Sequence, residues 1–178
     1  MKKRLLLFFF AVALLLLTAC APKPNMETLL SYQAPGTEML LRITDTEVFS
    51  AKLIIAENET SIVFTDEKRE GISYRMDRDG QIYMFFDDVL IPLAPSDELK
   101  CKDWFALFSI PSGDNIWKIK RETLGSIDVY VCRDEKITLY IDAASGFPLK
   151  IETDGIVIDV LEANKNPRMV EPSADFKT

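Results

Sequence analysis

From Thr37 to Val160 the chain is built of short runs in which apolar and polar residues alternate, joined by links of only a few residues. No other feature constrains the fold as strongly. Alternation turns one side of each run toward a core and the other toward water, the pattern of a half-buried strand. Links this short join antiparallel neighbours, because a parallel pair needs a crossover of a dozen residues or more. The runs are 38–43, 50–55, 61–65, 72–76, 82–86, 116–120, 126–132, 137–141, 149–152 and 156–160. Two Asp-Gly pairs, Asp79-Gly80 and Asp154-Gly155, lie between such runs. Asp-Gly is a hairpin signal because a type I′ turn needs positive φ at both central residues. In the first hairpin Ile72, Tyr74 and Met76 share a face that Ile82, Met84 and Phe86 continue, which leaves Tyr83 and Phe85 on the other side.

The strand pattern is interrupted once. Pro92 and Pro95 stop it, Ser96 suits an N-cap, and Asp97 and Glu98 suit the positive end of a helix dipole. Leu99, Trp104, Phe105, Leu107 and Phe108 then recur at helical spacing until Pro111, Ser112 and Gly113. The sequence thus predicts a mainly β protein: a curved antiparallel sheet or unclosed barrel of nine to ten strands, with one capping helix over 96–110.

The N-terminus carries a different signal. Lys2, Lys3 and Arg4 precede an uncharged apolar run from Leu5 to Leu17, which is 13 residues long. As a helix it spans about 20 Å, short of the roughly 30 Å bilayer core. A basic start, a short apolar stretch and small residues at its end mark a secretory signal. Leu17-Thr18-Ala19-Cys20 resembles the bacterial lipobox, whose cysteine is acylated and becomes the mature N-terminus. The expected organisation is a signal peptide at 1–19, an acylated Cys20 with a tether at 20–36, a β domain at 37–163 and a polar tail at 164–178. Pro22, Pro24, Pro35 and Gly36 keep the tether irregular, with room for one helical turn between Met26 and Tyr32. The expected location is the bacterial cell membrane, on its extracytoplasmic side.

Charge and composition narrow the function. Without residues 1–19 the chain keeps 18 of its 21 basic residues against 28 acidic ones, a net charge near −10. Such a surface is repelled by phosphate backbones, so nucleic acid is no expected partner. The sequence has no histidine, which removes His-based catalysis and most zinc sites. Asp77/Asp79 and Asp87-Asp88 fall at turns, where Asp bonds its own backbone, and they are too few for a calcium loop. No Gly-x-Ser-x-Gly, Ser-x-x-Lys or phosphate-binding glycine loop occurs. Neither an enzyme, a metal nor a cofactor is expected. Cys101 and Cys132 form an even pair, open to a disulfide in an exported protein or to two separate buried thiols.

The order of these segments resembles the LolA/LolB superfamily of bacterial lipoprotein carriers and sorting lipoproteins. The resemblance covers roughly Thr37 to Val160. It rests on the hairpin of 60–64 with 71–76, the run 80–93, the helix 96–110 and the late stretch from Tyr140 to Ile151. It implies an unclosed barrel whose concave face is capped by helix and receives lipid or acyl chains. Carriers usually begin with a long amphipathic helix, which is missing here, and their functional arginine is assigned to no residue, Arg42 included. A lipobox points to an anchored member, not a shuttle. The expected lining of a ligand site is Phe64, Tyr74, Met76, Met84, Phe86, Val131 and Ile141, under a lid carrying Trp104, Phe105 and Phe108. The alternative is that these side chains fill the concave face, in a structural or interaction lipoprotein of the cell envelope.

Overall fold

Residues 24–110 and 117–165 are described by the computed structural model. The signal segment, Cys20, the turn at Pro111 to Gly113, Ile116 and the tail beyond Lys165 lie outside them. After a helical turn α1 (Met26–Leu29) and a 3-10 turn (Ser31–Gln33), the strands are β1 (Thr37–Thr44), β2 (Val48–Ile55), β3 (Glu59–Phe64), β4 (Ile72–Asp77), β5 (Ile82–Phe86) and β6 (Val89–Ile91). Helix α2 (Pro95–Ala106) follows, and then β7 (Lys118–Leu124), β8 (Ile127–Arg133), β9 (Ile137–Asp142), β10 (Pro148–Thr153) and β11 (Ile156–Lys165).

All eleven strands join one antiparallel, unclosed sheet in the order β6-β5-β4-β3-β2-β1-β11-β10-β9-β8-β7. The chain meanders from β1 at the centre out to β6, begins again at the far edge with β7, and returns to the centre with β11. Since β6 and β7 are opposite edges, their connection has to traverse the sheet. Helix α2 is therefore carried across the concave face by topology, not by packing alone.

Register sorts the side chains onto faces. Ile119, Cys132, Leu139, Ile151, Ile158, Ile43 and Phe49 form one inward row across seven strands. Ala163, Met39, Leu53, Ile62, Tyr74, Met84 and Ile91 form another. Except for Met84 and Ile91 near the β6 edge, these rows join the inner face of α2 and the residues before β1 in the core. On the outer face Arg42 of β1 pairs with Asp159 of β11 at 2.8 Å, a surface ion pair worth at most about 1 kcal/mol.

Expectation and structure differ at several boundaries. There are eleven strands because Asp87 and Asp88, at φ 45° and 61°, make a two-residue turn that creates β6. Both are left-handed, as a type I′ turn requires. Gly71 accommodates this turn: at φ +82° it accepts a hydrogen bond from the Asp87 N–H at 3.0 Å, and a Cβ there would lie 2.5 Å from Asp87 Oδ1. The Asp79-Gly80 hairpin forms, but only Gly80 has positive φ. Its link is the three residues Arg78-Asp79-Gly80, with the Asp77 carboxylate accepting from the N–H groups of Asp79 and Gln81 at 2.9 Å each. Helix α2 starts one residue early, with Pro95 in its first turn, where a missing N–H costs nothing, and it ends at Ala106. Ser96 is thus inside the helix, not its cap. Strand β11 continues through Asn164 and Lys165, which were expected in the tail.

Candidate functional site

The concave face beneath α2 is where the expected lining residues converge. Cys101, Trp104, Phe105 and Phe108 follow one another at helical steps of three, one and three, so one stripe of α2 and its C-terminal turn faces the sheet. Leu99 lies off that stripe and is exposed, against expectation. The Trp104 ring stands 5.2 Å from Phe49, 6.2 Å from Phe64 and 6.2 Å from Tyr74. Phe64 is itself 5.3 Å from Phe49 and 5.7 Å from Tyr74, so the four rings form a continuous plug. Tilted and edge-on contacts at these distances are the favourable aromatic geometries.

A polar rim surrounds the plug. The Arg69 guanidinium lies over Phe49 at 4.8 Å and pairs with Glu47 at 2.7 Å and Asp66 at 3.2 Å. Lys100 of α2 reaches Asp45 in the β1–β2 link at 3.5 Å. Two links of the sheet and the helix are thereby held together over the aromatic rings. The Trp104 indole N–H and one Asp66 oxygen are buried without a hydrogen-bond partner.

The expected lining residues divide on inspection. Phe64, Trp104, Phe105, Phe108 and Ile141 are buried on the concave side, and Tyr74, Met76 and Met84 are half-buried there. Phe86 is not covered: at the end of β5 it is 48% exposed. Val131 is on the wrong face. Cys132 pairs with Leu139 in the inward row, so its neighbour Val131, opposite Lys120 and Tyr140, lies on the other face of the sheet with Val129, and both are buried there.

The two cysteines are not joined. Both are free and buried, Cys101 beside Tyr74 and Cys132 on the Tyr32 side. Burial, with the Asp97 charge behind it, pushes the Cys101 thiol up to about 12, and burial raises Cys132 to about 11. Burial likewise lifts Tyr74 to about 12. Thiols held protonated at neutral pH are poor nucleophiles. In the chain carrying Cys20→Ser, a thiol reagent at pH 8 is expected to find no reactive cysteine in the folded protein. It should find two after denaturation without reductant. A count below two in the unfolded chain would mean that they had been oxidised.

The largest omission of the sequence reading is the segment before β1. Asn25 caps α1 through a 2.8 Å bond from the Thr28 N–H, and Leu29, Leu30 and Tyr32 enter the core. Tyr32 is 1% exposed, and burial keeps its hydroxyl far above the usual tyrosine pKa. The Gln33 amide faces the Ile110 backbone, with 3.1 and 3.2 Å separations, tying this segment to the end of the α2 connection. Residues 26–36 are therefore part of the domain, not of a tether. The apolar positions Met26, Leu29, Leu30 and Tyr32 carry the signal that marks them. Arg69, by contrast, has no sequence signal.

The sequence matches no protein-family model and no curated protein. Among solved structures, MucB aligns with a TM-score of 0.53 at 12% identity, over 82% of this chain and 59% of MucB, so the chain spans less than two thirds of that protein. The fold is shared with MucB. The lipoprotein LppX of Mycobacterium tuberculosis aligns at 0.40 with 14% identity, over 82% of this chain and 98% of LppX. A LolA-superfamily protein of Nitrosomonas europaea aligns at 0.36 with 13% identity, over 80% of this chain and 92% of its own. At such identities the likeness bears on architecture alone. Among the described residues, the unclosed sheet here carries one helix longer than a single turn over its concave face, with the N-terminal turns beside it.

Proposed function

We propose that this chain is a non-enzymatic extracytoplasmic lipoprotein, held to its membrane through an acylated Cys20, that works as an interaction module on a filled LolA-like half-barrel. The observation carrying this reading is the four-ring plug of Phe49, Phe64, Tyr74 and Trp104. Side chains occupy the concave face where a carrier would hold its cargo. Packing of this kind is a core, and opening it for an acyl chain would expose apolar area at about 25 cal/mol per Å². The domain begins at Met26, so the five residues after Cys20 allow at most about 17 Å between lipid and fold. The module works close to its own membrane.

A second reading, binding of an acyl chain on the concave face, is favoured by one observation. The Trp104 indole N–H is buried without an acceptor, whereas such groups normally have one. An ester or carboxyl oxygen brought in by a ligand beneath α2 would supply it. The two readings are separated by extracting the purified mature Cys20→Ser chain with organic solvent and titrating it with a fluorescent fatty acid. The filled module is expected to release no stoichiometric acyl lipid and to show no saturable binding. One acyl chain per protein in either measurement overturns it in favour of the second reading.

A further inference from the structure

Among the described residues the open sheet has two unpaired edges, and they differ in character. Strand β7 is seven residues long and carries Lys118, Lys120 and Arg121, all exposed. Charge, lysine above all, along an edge discourages pairing with other chains. Strand β6 carries no charge: it is Val89-Leu90-Ile91, with Val89 62% and Leu90 57% exposed and Phe86 uncovered beside them. Next to it a groove of about 230 Å³ is lined by Ile82, Tyr83, Leu90, Ile91, Pro92 and Leu93. That volume suits one or two apolar side chains.

The backbone of β6 limits what fits. In a two-residue hairpin the residues flanking the turn, Phe86 and Val89, form the closing hydrogen-bonded pair. The antiparallel ladder then alternates, so Leu90, opposite Phe85, turns its N–H and C=O away from the sheet. The next outward position is Pro92, which has no N–H. The edge thus offers one full pair of backbone hydrogen bonds, at Leu90, and no template for indiscriminate extension. Both ends of the apolar strip are acidic. Asp87 and Asp88 stand at the β5–β6 turn, and Asp77 and Asp79 at the β4–β5 turn, where Asp77 accepts a bond from the Tyr83 hydroxyl at 3.3 Å. Arg75 and Arg78 offset two of these four charges: Arg75 pairs with Asp88 at 2.8 Å, and Arg78 donates to the Glu57 carbonyl.

We propose that the β6 edge and its groove are a docking site for an extended segment of a partner protein with apolar residues at its centre and Lys or Arg at its ends. One residue of that segment exchanges two backbone hydrogen bonds with Leu90. An adjacent apolar side chain enters the groove, and the basic ends meet the Asp87/Asp88 and Asp77/Asp79 pairs. The negative surroundings select against acidic segments and anionic lipid. The proposal deepens the interaction-module reading and rests on it, yet the two fail separately. Lipid extraction tests the filled concave face, and a peptide titration tests this edge.

The titration uses the mature Cys20→Ser chain, a decapeptide with alternating valine and threonine at its centre and two lysines at each end, and its counterpart with glutamate in place of lysine. NMR is expected to show saturable shifts at the Leu90, Tyr83 and Asp88 amides with the lysine peptide, weakening as salt screens the charges. Binding of the glutamate peptide is expected to be at least about tenfold weaker. Leu90→Lys, at an exposed position that folding tolerates, should weaken the lysine peptide by at least about tenfold, the equivalent of one lost apolar side-chain contact. Equal binding of the two peptides, no saturable shift, or an unchanged affinity with Leu90→Lys would each overturn the proposal. So would concentration-dependent self-association that Leu90→Lys abolishes, which would give the edge to a second copy of this chain.

Discussion

Tyr32→Ala is expected to cost about 3–5 kcal/mol of folding stability, the usual range for removing a buried aromatic ring. Urea unfolding of the chain carrying Cys20→Ser measures it. Tyr32 is 1% exposed, packs in one cluster with Leu29, Leu30 and Cys132, and precedes the first strand by five positions. A residue in a tether changes stability by no more than about 0.5 kcal/mol on substitution. The result therefore decides whether the domain begins at Met26 or at Thr37. Tyr32→Phe separates the ring from the hydroxyl, whose partner is the neighbouring Gln33. It is expected to lose only about 1 kcal/mol, the net worth of one hydrogen bond. A midpoint for Tyr32→Ala indistinguishable from that of the parent would return residues 26–36 to the tether.

The second large effect is at Trp104. Trp104→Ala removes the one ring that touches Phe49, Phe64 and Tyr74 together and is expected to cost about 3–5 kcal/mol, with a rise in binding of an apolar dye. Trp104→Phe keeps most ring contacts and deletes the buried, unpartnered N–H. Because leaving such a donor buried costs about 1–3 kcal/mol, its removal offsets the smaller ring, and a net change within about 1 kcal/mol is expected. If Trp104→Ala unfolds no more easily than the parent, α2 does not contribute to the core, and the plug is not what closes the concave face.

How much of this was legible in the sequence depends on how far each signal was local. The alternation of Ile72, Tyr74 and Met76 and the turn at Asp79-Gly80 are local, and the β4–β5 hairpin forms where they place it. The stripe of Trp104 and Phe105 on α2 is equally local, although the position one turn earlier on it is Cys101 and not the expected Leu99. Strand β8 shows the limit. In Ile127-Asp128-Val129-Tyr130-Val131-Cys132 both alternating sets are apolar from Val129 onward, so periodicity does not choose a face. Pairing of Cys132 with Leu139 makes that choice, and it turns Val131 outward. Strand β6, with three residues, is too short to show any period and exists because Asp87 and Asp88 both adopt left-handed backbone. Tyr32 was obscured by its company. The prolines at 22, 24 and 35 read as a tether, yet the residues between Pro24 and Pro35 bury their apolar side chains. Arg69 is in place over Phe49 only because the β3–β4 link folds back over the sheet.

The order of the sheet also sets a timetable. Its central seam joins the first strand to the last, and the Arg42–Asp159 pair across it links residues 117 apart. The two meanders on either side are made of neighbouring hairpins and can form as soon as each is available. The seam cannot, since its loop-closure entropy is met only when β11 arrives. Without β11 paired to β1, the strand order leaves two half-sheets with apolar inner faces and no shared centre. The two halves of the sheet share a centre only through the pairing of β1 with β11.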